Sequence, residues 1–377
     1  MFVRRAVWPL FLLCAILVSP SASAGKVKAQ TFEADLEAGF SAAKGATVEF
    51  ENLLGSIEVL PQAQGRDVRI RAHVVCEASE AAEARRLAQE VQLVRSDEGG
   101  KVKWSVTYPD ARLFRMPKTG VASLYSKWLA PIVKRKTIST RYDGRAVEIG
   151  NARGATALSV TVKLEVPMDL NLSVVQHVGT VEANGIRGSV TLHVKEGELH
   201  AGRLFGDLHV MTEGASARVW SFIGDNLNVE TGSGNIELVE IRSDTVRIDS
   251  ARGPVNGNKI ESTHLEASTG SGKVLLEGLE PESMEISSDT GDVELATELK
   301  KTKDATIRSA TGNVTVRLGT FASFQMEATS TEGAVKGSGV NVDIDQFEKN
   351  TAKLARGNGG ANLSVESQSG QIVIRPL

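Results

Sequence analysis

LNVETGSGNIEL at residues 227–238 is answered by VRIDSARGPVNG at 246–257, LEASTGSGKVLL at 265–276, MEISSDTGDVEL at 284–295 and ATIRSATGNVTV at 305–316. The glycines of these copies, Gly234, Gly253, Gly272, Gly291 and Gly312, are spaced by 19, 19, 19 and 21 residues. Weaker copies place glycines upstream at Gly214, Gly197 and Gly179 and downstream at Gly333 and Gly370, and an isolated early copy, TVEFENLLGSIEV at 47–59, centres on Gly55. A fixed period of this length is the signature of a stacked repeat.

Apolar residues alternate on both sides of each glycine, as Met284 and Ile286 before Gly291 and Val293 and Leu295 after it. Alternation with period two describes a strand with one buried face. Two such strands and a polar stretch fill one copy and leave no room for the crossover helix of a βαβ unit. The economical solution is a mainly β chain wound as a parallel β-solenoid, single-stranded and β-helix-like, with about 19–21 residues per rung. The glycine is read as a corner residue, because a sharp turn between short strands often needs the positive φ that glycine adopts without strain. Three residues before it stands a small hydroxyl in each strong copy: Thr231, Ser250, Thr269, Ser288 and Ser309. Stacked, these form an inward column that bonds corner backbone groups. Aromatic residues make up 5% of the chain, which suits a thin core of Val, Ile and Leu.

The first 24 residues read as an export signal. Arg4 and Arg5 precede the apolar run WPLFLLCAILV, and Ala22-Ser23-Ala24 offers a small-residue cleavage site. That run is too short to span a bilayer, so no transmembrane segment is expected in the mature chain. The expected compartment is the periplasm, or else the cell surface or medium. Only Cys76 remains after cleavage, which rules out an intramolecular disulfide, and it lies in an alternating apolar run that marks it as a buried core residue. The whole chain has a net charge of −3, an acidic balance that excludes a global nucleic-acid footprint.

Residues 25–109 read as an N-terminal α+β cap. It comprises the early repeat copy, the strand DVRIRAHVV, a helix over EASEAAEARRLAQEVQLV with Ser79 as N-cap, and the strand KVKWSVTYP. Residues 110–157 form a basic insert. Between 110 and 145 it carries nine basic and two acidic residues, and within it VASLYSKWLAPIV has apolar residues at helical spacing. Trp128 with Lys127, Lys134, Arg135 and Lys136 is the candidate surface-binding element there, suited to an anionic membrane or acidic polymer, or else a lid over an open solenoid end. The solenoid domain occupies 158–377, broken at roughly 338–360, with NLSVESQSGQIVI as its final strand pair.

No catalytic constellation emerges. Matching Leu192-His193-Val194 with Leu208-His209-Val210 sets His193 and His209 on neighbouring rungs about 4.8 Å apart. A shared metal would need three or four ligands, with His200 a distant third; a surface polar ladder accounts for the pair, and no metal or cofactor is assigned. The same outward column continues through Asn228, Arg247, Glu266, Glu285 and Thr306. Stacked Glu266 and Glu285 raise the possibility of glycoside hydrolysis, while turn chemistry accounts for Asp289 and Asp292 beside Gly291.

The exported N-terminus, the TVEF…GSIEV strand pair, the strand ending KLEVPMDLNL and the serial SGSG and TGDVEL corners together resemble the bacterial DUF4097 family of adhesin-like β-strand repeats. The resemblance covers about two-thirds of the mature chain and implies an exported, non-enzymatic protein of the adhesin class. It offers no catalytic residues to carry over, and the basic insert is not part of the common pattern. The expected partner is an envelope component (polysaccharide, anionic lipid or protein) and not a nucleic acid. The alternatives are a carbohydrate-active β-helix lyase or hydrolase, and a periplasmic scaffold of an envelope-stress system.

Overall fold

The computed structural model describes residues 29–62, 64–98, 101–118, 137–337, 339–340, 342–357 and 359–377. The leader read at 1–24 and the stretch with Trp128, Lys127, Lys134, Arg135 and Lys136 lie outside the described residues. The chain divides into two compact units, the described residues up to Pro167 with Val175–Thr180, and Met168–Val174 with Val181–Leu377.

The second unit is a parallel β-solenoid. Ser216–Thr231 pairs with Ile236–Ser250, that strand with Val255–Thr269, and that one with Val274–Ser288, each residue meeting the one nineteen positions on. The next step is lengthened to 21, with Met284 opposite Ala305. Alternation drives the winding: Ile236, Leu238, Ile241, Val246 and Ile248 of one rung are each at most 2% exposed. Full burial of such a side chain contributes roughly 1.5–3 kcal/mol, so each rung depends on its neighbours to cover it.

The strong corner glycines serve contact rather than dihedral freedom. None of Gly234, Gly253, Gly272, Gly291 and Gly312 has positive φ. A Cβ at Gly253 would instead lie 1.7 Å from the carbonyl oxygen of Gly234, and one at Gly272 or Gly291 would lie 1.9 Å from that of the glycine before it. The expectation of a left-handed turn is thus corrected at these five positions, although Gly55, Gly179 and Gly197 do have φ of 136°, 149° and 129°. Gly179 stacks on Gly55 in the same way, its Cβ position 1.7 Å from the Gly55 oxygen. Gly214 sits one residue away from this column: Gly234 stands over the carbonyl of Ala215.

Left-handed backbone forms a different column, at a second bend of the rung. Gly185, Arg203, Ser221, Glu240, Lys259, Gly278 and Leu299 have φ between 52° and 75°. Five of the seven are not glycine. The stack over-determines them: parallel pairing resumes on both sides of the bend, and the Lys259 ammonium meets the Glu240 carboxylate at 3.1 Å.

The predicted hydroxyl column is present and buried. The Thr231 and Thr269 hydroxyls accept the N–H of Gly234 and Gly272, both at 3.0 Å. Those of Ser250, Ser288 and Ser309 donate to the carbonyls of Gly253, Gly291 and Gly312 at 2.6, 2.7 and 2.9 Å. Each hydroxyl satisfies a corner group that water cannot reach.

The later copies stack out of sequence order. Ala361–Ser367 lies between Asp304–Ser309 and Phe324–Ser330, parallel to both. Ile372–Pro376 likewise lies between Val314–Leu318 and Val335–Gly337. The corner column therefore runs Gly312, Gly370, Gly333. The stretch read as a break at 338–360 contains Ile344–Phe347 and Thr351–Arg356, paired antiparallel, and Thr351–Arg356 covers the outer edge of Phe324–Ser330. An edge paired in this way is no longer a template for aggregation.

The first unit mixes orientations. Asp67–Ala78 runs antiparallel to both Gln30–Ser41 and Thr156–Pro167. Thr47–Gln62, the early repeat copy, bends at Gly55: its first half is parallel to Lys101–Thr107 and its second half to Thr156–Pro167. The helix is shorter than expected, Ala81–Gln89, with Glu80 rather than Ser79 at the N-cap and no side-chain cap bond. Its expected last turn is strand: Gln92–Glu98 pairs antiparallel with Lys101–Thr107, and Val94 is 41% exposed. That pairing overrides the helical spacing of Val91 and Val94. Cys76 is buried, and burial pushes its thiol up to about 12.

Two glycine substitutions separate the two kinds of bend. Gly253→Ala forces a methyl into the carbonyl beneath it and should cost about 3 kcal/mol. Gly278→Ala meets nothing nearer than 3.4 Å and should cost only about 1 kcal/mol for its left-handed backbone. Urea denaturation of both variants is the check, and equal losses would contradict the contact account.

Candidate binding face

The half-rung that precedes each glycine corner directs one set of side chains inward and the other outward. From Asn226 to Thr231, Leu227, Val229 and Thr231 are buried while Asn226, Asn228 and Glu230 face solvent or its margin. Repetition turns these outward residues into three columns. The middle one runs Asn228, Arg247, Glu266, Glu285, Thr306, Ser364 and Glu327. One flank runs Thr245, His264, Ser283, Asp304, Asn362 and Gln325, and the other Asp249, Ser268, Ser287, Arg308, Glu366 and Thr329. Every member is polar.

Neighbours in the columns bind one another. Arg247 meets Glu266 at 3.3 Å, Arg308 meets Glu285 at 2.9 Å and Glu366 at 3.5 Å, and His264 bonds the Ser283 hydroxyl at 2.7 Å. Exposed pairs of this kind add little stability. Their effect is to hold donors and acceptors in fixed positions on a rigid face.

The histidine alignment is overturned. The register sets His209 opposite Thr191, and His193 opposite Met211, so the two imidazoles are two positions out of step. Corner stacking sets an 18-residue step here, whereas the repeated Leu-His-Val triplets are 16 apart. His209 instead continues the middle column below Asn228 and lies 3.3 Å from Glu230, and His200 bonds Glu198 at 3.2 Å.

A second polar cluster, absent from the sequence expectations, is buried in the first unit. His177 Nε2 donates to Glu51 Oε1 at 3.0 Å, and the Thr140 hydroxyl donates to Nδ1 at 2.7 Å. The ionised carboxylate can only accept, which assigns the ring proton to Nε2. Lys103 binds the other Glu51 oxygen at 2.9 Å. Beside this chain, Tyr108 donates to Asn52 Oδ1 at 2.8 Å, and Asn52 donates to Gln176 Oε1 at 3.0 Å. The hydrogen bond from His177 is the main reason the Glu51 carboxyl falls to about 2, aided by Lys103 and opposed by burial. Burial raises the phenols of Tyr108 and Tyr142 well above their ordinary value.

Hydroxyl, imidazole and carboxylate in series is the arrangement of a nucleophile and its base. Here Thr140 is 9% and His177 3% exposed, so no substrate has room to approach the hydroxyl. The cluster acts as a clasp joining Thr47–Gln62, Ile138–Tyr142 and Val175–Thr180 within the first unit. The signal that could have revealed it is the set of polar residues at inward positions of apolar strands, Asn52, Thr140 and Gln176.

A family model described as Toastrack DUF4097 matches residues 159–375. No curated protein matches the chain. Three solved structures, each of a protein described as putative, align over most of both chains. A cell adhesion protein from Clostridium sporogenes is 9% identical, covering 91% of this chain and 100% of its own, with a TM-score of 0.20. An adhesin from Bacteroides fragilis is 7% identical, with coverage of 91% and 97% and a TM-score of 0.32. A lipid binding protein from Parabacteroides distasonis is 9% identical, with coverage of 90% and 96% and a TM-score of 0.34.

The lowered Glu51 carboxyl makes stability depend on acid. The unfolded chain takes up this proton near the ordinary value of 4.5 and the folded chain near 2. Stability is therefore complete above about pH 5 and falls as pH drops through that window. For this partly exposed group the loss is about 2 kcal/mol. Glu51→Gln should remove that slope, as measured by urea unfolding at pH 6 and pH 3.

Proposed function

The chain belongs to the Toastrack DUF4097 family, and on that premise we propose that it is an exported, non-catalytic β-solenoid that binds a component of the cell envelope through its flat polar face. The observation that carries this reading is the set of three parallel outward columns that precede the corners, in which no apolar side chain interrupts the polar ones. A flat, rigid array of donors and acceptors suits an extended ligand that is contacted at many points and released without chemical change. The leader-like stretch at 1–24 supports export, to the periplasm or the cell surface. The burial of Thr140 and His177 argues against acyl-transfer chemistry at the Thr140 hydroxyl.

The test is co-sedimentation of the full mature chain with washed cell-envelope fragments, beside a variant in which Arg247, Glu266 and Glu285 are replaced by Ala. Wild type should pellet with the fragments and the variant at least fivefold less. Reducing-end assays on the same fragments should stay at background. Equal pelleting of the two proteins, or steady release of reducing ends, would overturn the proposal.

A further inference from the structure

The polar face is not uniformly flat. Where Asp304–Ser309, Ala361–Ser367 and Phe324–Ser330 lie side by side, it sinks into two adjoining hollows that share Glu327 and Ser364 in their lining. One hollow extends to Arg308, Glu366 and Thr329, the other to Asp304, Thr306, Gln325 and Lys353. Together they form a groove along the strand direction. From Gln325 to Thr329 the strand rise gives a length of about 13 Å, enough to seat a short run of sugar rings. The inserted strand Ala361–Ser367 forms its floor, so the out-of-order stacking builds it.

We infer that this groove binds a linear, uncharged polysaccharide, a deepening of the envelope-binding reading above and resting on it. The chemistry of the walls supports this ligand over others. Donors and acceptors alternate densely: Arg308 bridges Glu285 and Glu366, Ser364 donates to Glu366 at 3.1 Å, and Lys353 meets Glu327 at 3.4 Å. A carboxylate held this way keeps lone pairs free for the vicinal hydroxyls of a sugar, and the arginine and amides supply donors for its ring and hydroxyl oxygens.

Other partners fit poorly. Asp289, Asp304, Glu327 and Glu366 outnumber Arg308 and Lys353 around the groove, a balance that repels nucleic acid, anionic lipid and acidic polymers. The apolar residues beneath, Met326, Leu354 and Leu363, are each 3% exposed, so no greasy anchor is presented to a protein partner. The strand edges are taken by ladder pairing on both sides of Ala361–Ser367, which denies an added peptide strand.

The experiment is titration calorimetry of the full mature chain with cellohexaose, N-acetylchitohexaose and hexagalacturonate. The groove variant Ser364→Ala/Glu366→Ala and the distant variant Arg218→Ala/Glu237→Ala serve as probes. All four residues are at outward positions, and an unchanged urea midpoint confirms that the variants fold. The expected result is binding of at least one neutral hexasaccharide, weakened fivefold or more in the groove variant and unchanged in the distant one, with hexagalacturonate bound more weakly still. Failure of both neutral sugars to bind, equal binding by the groove variant, or preference for hexagalacturonate would overturn the inference. Envelope sedimentation by the groove variant separates the two levels: if it pellets like wild type while the groove fails its sugar test, the broader reading stands and only the groove assignment falls.

Discussion

A carbonyl oxygen resting where a side chain would otherwise begin is the contact on which this protein is organised. At the corners from Gly234 to Gly312 the backbone of one rung lies against the next so closely that only hydrogen fits on the upper Cα. The approach fixes the step between rungs, and the step fixes which residues share a column. The buried hydroxyls are tied to the same contact, since each bonds the glycine three residues on. A side chain at one of these glycines would drive into the carbonyl of the neighbouring rung.

Register, in turn, creates the outer surface. A single strand with alternating Asn, Arg or Glu has no particular binding character. Seven such segments in step place like positions within hydrogen-bonding reach, and salt links such as Arg308 with Glu285 and Glu366 span the rungs. In the first unit rigidity is reached differently. There a buried clasp of Glu51, His177 and Thr140 joins three strands far apart in sequence, and Asn52 with Tyr108 and Gln176 extends it. Polar bonding thus serves display on one unit and internal fastening on the other.

Much of this was legible in the residues. The period of the glycines specified the rung length, and alternation around Met284, Ile286, Val293 and Leu295 specified the inward set. The column from Asn228 to Thr306 followed by counting alone. The reading failed where spacing stops being the controlling variable. The resemblance of two Leu-His-Val triplets suggested stacking of His193 and His209, but hydrogen-bond register follows the corners rather than local likeness. Helical spacing of Val91 and Val94 lost to strand pairing with Lys101–Thr107. The left-handed positions were invisible because Arg203, Ser221, Glu240, Lys259 and Leu299 carry no sign of such a bend. The clasp was hidden because its members are scattered from Glu51 to His177, and nothing local links them.

The insertion of Ala361–Ser367 between two earlier segments has a bearing on how the molecule comes into being. A coil laid down in chain order could zip shut behind the ribosome, one turn at a time. This one cannot, because Asp304–Ser309 and Phe324–Ser330 must wait, unjoined, for a strand made later. Until it arrives a slot stands open in the wall, so a prematurely ended chain would carry a raw seam that quality-control proteases can recognise.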